Sequence, residues 1–131
     1  MKHFVLFFCI VISTFGFSCK KTLNQEQVKV ISPKELKAFL DADSVQLIDV
    51  RTPKEFSEGF IVTAKNIDFY SSTFKDEINK LDKSKPVLVY CRSGRRSANS
   101  VSVFLDAGFT KIYDLEGGIL NWKSEGYKIK K

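Results

Sequence analysis

Pro86-Val87-Leu88-Val89-Tyr90-Cys91-Arg92-Ser93-Gly94-Arg95-Arg96-Ser97 is the stretch on which the reading of this chain turns. Its first half is a short apolar run of β-formers and reads as a strand buried on both faces. Its second half is a polar, cationic loop holding one glycine. That loop passes directly into 95–107, where Ala98, Val101 and Leu105 recur at helical spacing and predict the inner face of a helix. A buried strand feeding a helix through a short loop is half of a β-α-β unit.

Working outward, the same alternation repeats. Val45 to Val50 is apolar at nearly every position and predicts a second central strand. Val28 to Ile31 and Ile112 to Leu115 predict two more, and Ala64 to Ile67 a short one. Ser32-Pro33-Lys34-Glu35 is a capping box with Pro at the first helical position, and Leu36, Phe39 and Leu40 follow at helical spacing. That helix is expected to stop near Asp41-Ala42-Asp43. Glu55 to Glu58 reads as a single helical turn ended by Gly59. Ser71-Ser72 reads as the cap of a helix with Phe74, Ile78 and Leu81 on one face. Gly108 sits at a helix C-cap, and Gly117-Gly118 turns the chain into a last helix, Ile119 to Ser124, containing Trp122. Strands alternating with helices predict an α/β domain with a mainly parallel central sheet. Ligands of such sheets sit beyond the C-terminal ends of the strands, where the loop from Cys91 begins.

The chain has 131 residues, 44% hydrophobic and 27% charged, which fits one globular domain. Its formal charge of +6 reads as a Lys-decorated surface. Neither Lys20-Lys21 nor the run Lys128 to Lys131 is interleaved with aromatics, and no nucleic-acid motif is present, so no nucleic-acid partner is expected. Met1-Lys2-His3 followed by an apolar run to Phe17 predicts a signal peptide over residues 1–18, too short to span a bilayer. Cys19 stands where a lipoprotein signal places its lipid-attachment cysteine, while Gly16 and Ser18 also satisfy the rule for ordinary cleavage after Ser18. Residues 19–27 then form a tether and 28–131 the domain. The expectation is an exported protein, periplasmic or held at the membrane through a lipid on Cys19. Cys9 leaves with the signal, so Cys91 is the thiol left to the folded domain, and an unpaired thiol in an oxidising compartment points to reactivity.

The chemistry of the loop supports that. Amides at a helix start bind anions, and the same end of the helix dipole favours a thiolate. Arg92, Arg95 and Arg96 add positive potential, Gly94 allows a tight curl of inward-facing amides, and Ser97 can donate or accept there. Together these predict that Cys91 is a nucleophile. The single histidine, His3, lies in the signal, so a Cys-His dyad is excluded, and no metal site or cofactor is expected. Asp49 and Arg51, at the end of the strand 45–50, are expected to brace a loop as a partly buried pair, with Glu55 as a third member of their network.

These segments resemble a single-domain rhodanese, a thiosulfate or persulfide sulfurtransferase. Four stretches carry the resemblance in order: Leu47 to Phe56, Gly59-Phe60-Ile61 with Ala64 to Ile67, Val87 to Ser97, and Leu115 to Trp122 with Gly126-Tyr127. It implies a three-layer rhodanese-like fold. It also implies that Cys91 takes a sulfane sulfur as a persulfide and that Arg92, Ser93, Gly94, Arg95 and Arg96 form the cradle, with Ser97 following. The implied partners are a small anionic sulfur donor and an acceptor, cyanide or a thiol; separately, the need to keep Cys91 reduced outside the cytoplasm points to a thioredoxin-like protein as thiol partner. The family often has Gly-His-Ile-Pro-Gly-Ala where this chain has Gly59-Phe60-Ile61-Val62-Thr63-Ala64, a change expected to alter the stiffness of that turn. Two alternatives stand beside the sulfurtransferase: a non-catalytic persulfide carrier or binding module, and a cysteine-dependent phosphatase or arsenate reductase. The latter enzymes place Arg six positions after the cysteine, where this chain has Ser97.

Overall fold

The computed structural model describes residues 26–131, so the expected signal, Cys19 and nearly all of the tether lie outside the described residues. Five strands and five helices alternate: β1 Val28–Ile31, α1 Pro33–Asp41, β2 Gln46–Asp49, α2 Pro53–Ser57, β3 Lys65–Asn66, α3 Phe74–Asn79, β4 Val87–Tyr90, α4 Arg95–Asp106, β5 Ile112–Leu115 and α5 Gly118–Ser124. The sheet runs in the order β1-β5-β4-β2-β3, and every pairing is parallel. This is the expected α/β architecture, a parallel sheet covered by helices on both faces.

β4 is the middle of that sheet, and its four residues are fully buried. Val87, Val89 and Cys91 face one layer, where Phe74 and Ile78 of α3 and Phe104 of α4 pack on them. Leu88 and Tyr90 face the other, with Leu36 of α1 and Ile119 and Trp122 of α5. The register sets Ile48, Val89, Asp114 and Val30 in one row across the sheet. Side chains in such a row share a face.

Local sequence explains most helix starts. Ser32 and Glu35 close a reciprocal capping box on α1. Thr52-Pro53-Lys54-Glu55 does the same on α2, which therefore begins at Pro53, two residues before the turn expected at Glu55. The α3 cap differs from expectation. Its N-cap is Thr73, and Ser71 instead bonds the Thr73 amide and hydroxyl in a turn before the helix. The inner face of α4 also differs. Ser97, Ser100 and Phe104 are its fully buried residues, Val101 and Leu105 are half-buried, and Ala98 is exposed. Two serines can face inward because each hydroxyl donates to a backbone carbonyl, Ser100 to Ser97 at 2.7 Å and Ser97 to Gly94 at 3.1 Å.

The altered turn after Gly59 has a visible cost. Thr63 adopts φ of +71°, a left-handed conformation that a β-branched residue avoids. Phe60 stacks on Phe56 with centroids 4.2 Å apart, and its backbone pairs antiparallel with Lys130, which ties the C-terminal tail to this turn. Thr63→Gly is predicted to raise unfolding stability by about 1 kcal/mol, measured by urea denaturation, because only the left-handed penalty is removed. A loss of stability would show that the Thr63 side chain makes a contact that outweighs the strain.

Candidate active site

The chain leaves β4 at Cys91 and enters α4 at Arg95, so the sulfur is held between a buried strand end and a helix start. Cys91 is 1% exposed. The Gly94 amide donates to Sγ at 3.1 Å, and the thiol approaches the Ser97 hydroxyl at 3.7 Å. Gly94 can turn its amide back onto the sulfur because it takes φ of +106°, open to glycine. Among the described hydrogen bonds, Gly94 is the one loop amide that reaches the sulfur.

A second element clamps the loop from outside. The amides of Ile119 and Leu120, in the first turn of α5, donate to the carbonyls of Cys91 at 2.9 Å and Arg92 at 3.1 Å. The approach is close enough that a Cβ on Gly118 would lie 2.5 Å from both carbonyl oxygens. Gly117-Gly118, read from sequence as a turn, is therefore also the surface on which the loop rests. Gly118→Ala is predicted to displace that loop and to change the rate at which Cys91 reacts with small electrophiles. Wild-type alkylation kinetics in this variant would show that the loop is held by other contacts.

The three arginines do different things. Arg96 makes a two-pronged ion pair with Glu55, both bonds at 2.7 Å, and its guanidinium lies 5.8 Å from the Tyr70 ring centroid. Hydrogen bonding from Arg96, with further bonds from Thr52, holds the Glu55 carboxyl at about 2, and Arg96 is raised in turn. Arg92 and Arg95 are exposed. Arg92 lines a cleft of about 230 Å³ together with Arg51, Glu55, Leu120 and Lys123. Among the described residues no carboxylate pairs with Arg92 or Lys123.

Asp49 and Arg51 form a buried pair. The Arg51 Nη2 reaches Asp49 Oδ2 at 2.6 Å, and Nε reaches both carboxylate oxygens. Nη2 also donates to the Gly59 carbonyl at 2.8 Å, which anchors the turn after α2 to the end of β2. Burial works against the Arg51 charge, and the Asp49 carboxylate more than offsets it. Burial chiefly, and then the Asp49 charge, push the neighbouring Tyr90 hydroxyl far up, so it stays protonated while accepting from the Ile61 amide at 3.1 Å. The expected third member of this network belongs elsewhere. Glu55 bonds Arg96 and its own helix cap rather than Arg51. The reason is that the capping box turns the Glu55 carboxylate back over the start of α2, and the site is on that side.

The residue match over this fold is specific. A model of the rhodanese-like domain matches residues 32–125. The chain belongs to the rhodanese-like domain family. It is 32% identical over 94 residues to the thiosulfate sulfurtransferase GlpE of Pseudomonas aeruginosa, covering 72% of this chain and 83% of that protein. It is 32% identical over 89 residues to a sulfurtransferase of Allochromatium vinosum, covering 68% and 81%. The crystal structure of a rhodanese-related protein from Thermoplasma volcanium superposes with a TM-score of 0.70 at 31% identity, over 78% of this chain and 97% of that one. In this rhodanese-like domain the residues singled out from sequence fall into two groups. Cys91, Gly94, Ser97, Arg96 and Glu55 are linked by direct contacts around the loop, whereas Asp49 and Arg51 stand apart and brace the neighbouring turn.

One buried group was not legible. Asp114 of β5 is 7% exposed, and its Oδ1 has no hydrogen-bond partner. Burial pushes its carboxyl up to about 6, with Ser97 pulling the other way. The folded state therefore holds a proton that the unfolded chain has already released. That stability is present at acid pH and is lost as pH rises from about 4 to about 6. Asp114→Asn is predicted to stabilise the protein by about 1–3 kcal/mol at pH 8 and to leave it nearly unchanged near pH 4, read from denaturant unfolding at the two values. Glu55 has the opposite sign. Its contribution is present above about pH 4.5 and is lost as pH falls toward 2, so Glu55→Gln should flatten the acid limb of the unfolding profile.

Proposed function

We propose that this rhodanese-like domain is a sulfurtransferase that carries a sulfane sulfur on Cys91. The observation that supports it most directly is the Gly94 amide aimed at a lone buried thiol at 3.1 Å, in a domain whose sequence supplies no histidine to activate that thiol. A backbone donor fixed in this way stabilises charge on sulfur without reorganising, as preorganised donors do for oxyanions.

Thiosulfate, or an organic persulfide, is the donor in this reading. The Cys91 thiolate attacks the outer sulfur, the S–S bond breaks, and sulfite (from thiosulfate) or a thiolate (from an organic persulfide) departs with the electron pair. The new terminal sulfur sits on Cys91 as a persulfide. A thiol or cyanide then attacks that sulfur and releases the Cys91 thiolate, so donor and acceptor react in separate steps with ping-pong kinetics. Arg92 and Lys123, without a carboxylate partner among the described residues, draw the anionic donor in beside the cleft, while Arg96 is already neutralised by Glu55. An exported, lipid-anchored setting through Cys19 belongs to the same proposal, and a lipid-precursor label on Cys19 tests it.

Intact-mass measurement after incubation with thiosulfate tests the chemistry. The expected result is gain of one sulfur atom, lost on reduction and absent from Cys91→Ser. No gain on a thiol shown to be free, with thiosulfate and with an organic persulfide alike, would overturn the reading in favour of a binding module. Loading without turnover of any small acceptor would point to a carrier. Arg92→Ala and Lys123→Ala are each predicted to raise KM for thiosulfate by about threefold to tenfold with little change in kcat, because they act on donor capture rather than on the transfer step.

A further inference from the structure

Asp114 is a carboxyl that the transfer chemistry above does not use and that the fold does not need. It lies on β5 in the row Ile48, Val89, Asp114, Val30, so it points toward the layer that contains Cys91 and α4. Its Oδ1 is fully buried and unpartnered. Unsatisfied buried carboxyls destabilise proteins and are retained chiefly where they have a task. The polar side chain acting on it is Ser97, on the buried stripe of α4 that packs against β5. Ser97 is also the side chain that the Cys91 thiol approaches, at 3.7 Å. The same hydroxyl is thus beside the thiol and on the helix face that packs over the buried acid.

The side chains packed around Asp114 are mostly apolar or hydroxylic. From α4, the buried stripe presents Ser97, Ser100 and Phe104. From β4 come Val89 and, just beyond the strand end, Cys91, and from β1 comes Val30. Among the described residues no charged group shifts the carboxyl, and Cys91 lies on the same face beyond the end of β4. The nearest loop guanidinium in sequence to Ser97, that of Arg96, is directed to Glu55.

We propose that Asp114 is the proton acceptor for the Cys91 thiol, acting through the Ser97 hydroxyl. The step rests on Cys91 being the nucleophile. The Sγ–H bond breaks as Ser97 Oγ takes that proton, and the Ser97 O–H proton passes to a carboxylate oxygen of Asp114. Thiol and carboxylate become thiolate and neutral carboxyl, with no net change in charge. The Ser97 hydroxyl turns from the Gly94 carbonyl, its partner in the resting geometry, toward Asp114 to do so. Asp114 touches no reacting atom and is a positioning residue for the proton. Burial pushes the carboxyl up to about 6, toward the range in which a proton acceptor works best. This places in Asp114 the role that histidine fills in other thiol enzymes, in a domain whose sequence has none.

The test is the pH profile of Cys91 alkylation by iodoacetamide in the full chain, compared with Asp114→Asn and Ser97→Ala. In the wild type the rate should rise in two steps, one near pH 6 and one at higher pH, as for a coupled pair. Both variants should show a single step and react about tenfold more slowly near pH 6.5, converging with the wild type at high pH. The sign discriminates. A carboxylate that acted only as a nearby negative charge would hold the thiolate back, so Asp114→Asn would then react faster, and that result, or an unchanged profile, overturns the proposal. The unmutated protein gives a check that no folding defect can mimic. The Asp114 carboxyl carbon, followed by NMR, should change its titration midpoint when Cys91 is alkylated, and an unchanged midpoint overturns the relay. Because iodoacetamide donates no sulfur, a domain that alkylates as expected but accepts nothing from thiosulfate contradicts the proposed transferase and leaves the relay standing.

Discussion

The close approach of α5 to the carbonyls of Cys91 and Arg92 is the constraint on which the site depends. Two amides of Ile119 and Leu120 grip those carbonyls, and the contact exists only because Gly118 has no side chain. With those carbonyls held by α5, the loop curls back so that the amide of Gly94, two residues after Arg92, donates to the sulfur. The thiol is thus solvated by backbone on one side and packed by strand β4 on the other. A loop held at both faces costs little to reorganise when charge develops on sulfur, which is the requirement for preorganised stabilisation.

Two ion pairs flank this loop, and their burial separates their tasks. Asp49–Arg51 is buried, and Arg51 spends a further donor on the Gly59 carbonyl, so it joins the end of β2 to the turn that carries Phe60 and Thr63. Such a pair contributes position more than net stability, since desolvation offsets much of its attraction. Glu55–Arg96 is partly buried and closes the far end of the active loop onto α2. It also removes one of the three loop arginines from the pool of cations facing solvent, leaving Arg92 and Arg95 with Lys123 nearby. The electrostatic field at the cleft is accordingly set by fewer charges than the run of arginines suggests.

Asp114 shows the same economy in the opposite direction. An apolar residue in its place would complete the row of Ile48, Val89 and Val30, and the sheet would gain from it. Instead the strand beside β4 carries an acid against two inward-facing serines of α4. Departures from a consistent apolar core concentrate at functional sites in natural proteins. Here the departure involves three residues on two elements, Asp114, Ser97 and Ser100, of which Ser97 reaches the sulfur.

The order of elements and the parallel sheet were legible in the sequence because buried parallel strands read as unbroken apolar runs, as Val45 to Val50 and Pro86 to Tyr90 do. Cys91 and its loop were legible because a strand end, a glycine and a helix start are all local features. The Thr52 capping box was equally local, being the pattern of Ser32 repeated, and it fixes both where α2 begins and where Glu55 points. Other features were decided only by tertiary packing. The pairing of Glu55 with Arg96 spans 41 positions. The inward turn of Ser97 and Ser100, against an apolar spacing that favoured Ala98, goes with bonds to the carbonyls of Gly94 and Ser97 just before them and with the packing of α4 on the sheet. Asp114 looks in sequence like any polar residue near a strand end, and Gly118 like any turn glycine. What each does is set by the atoms brought against it from elsewhere in the chain, and those distances appear only when the sheet is assembled and its helices are laid on it.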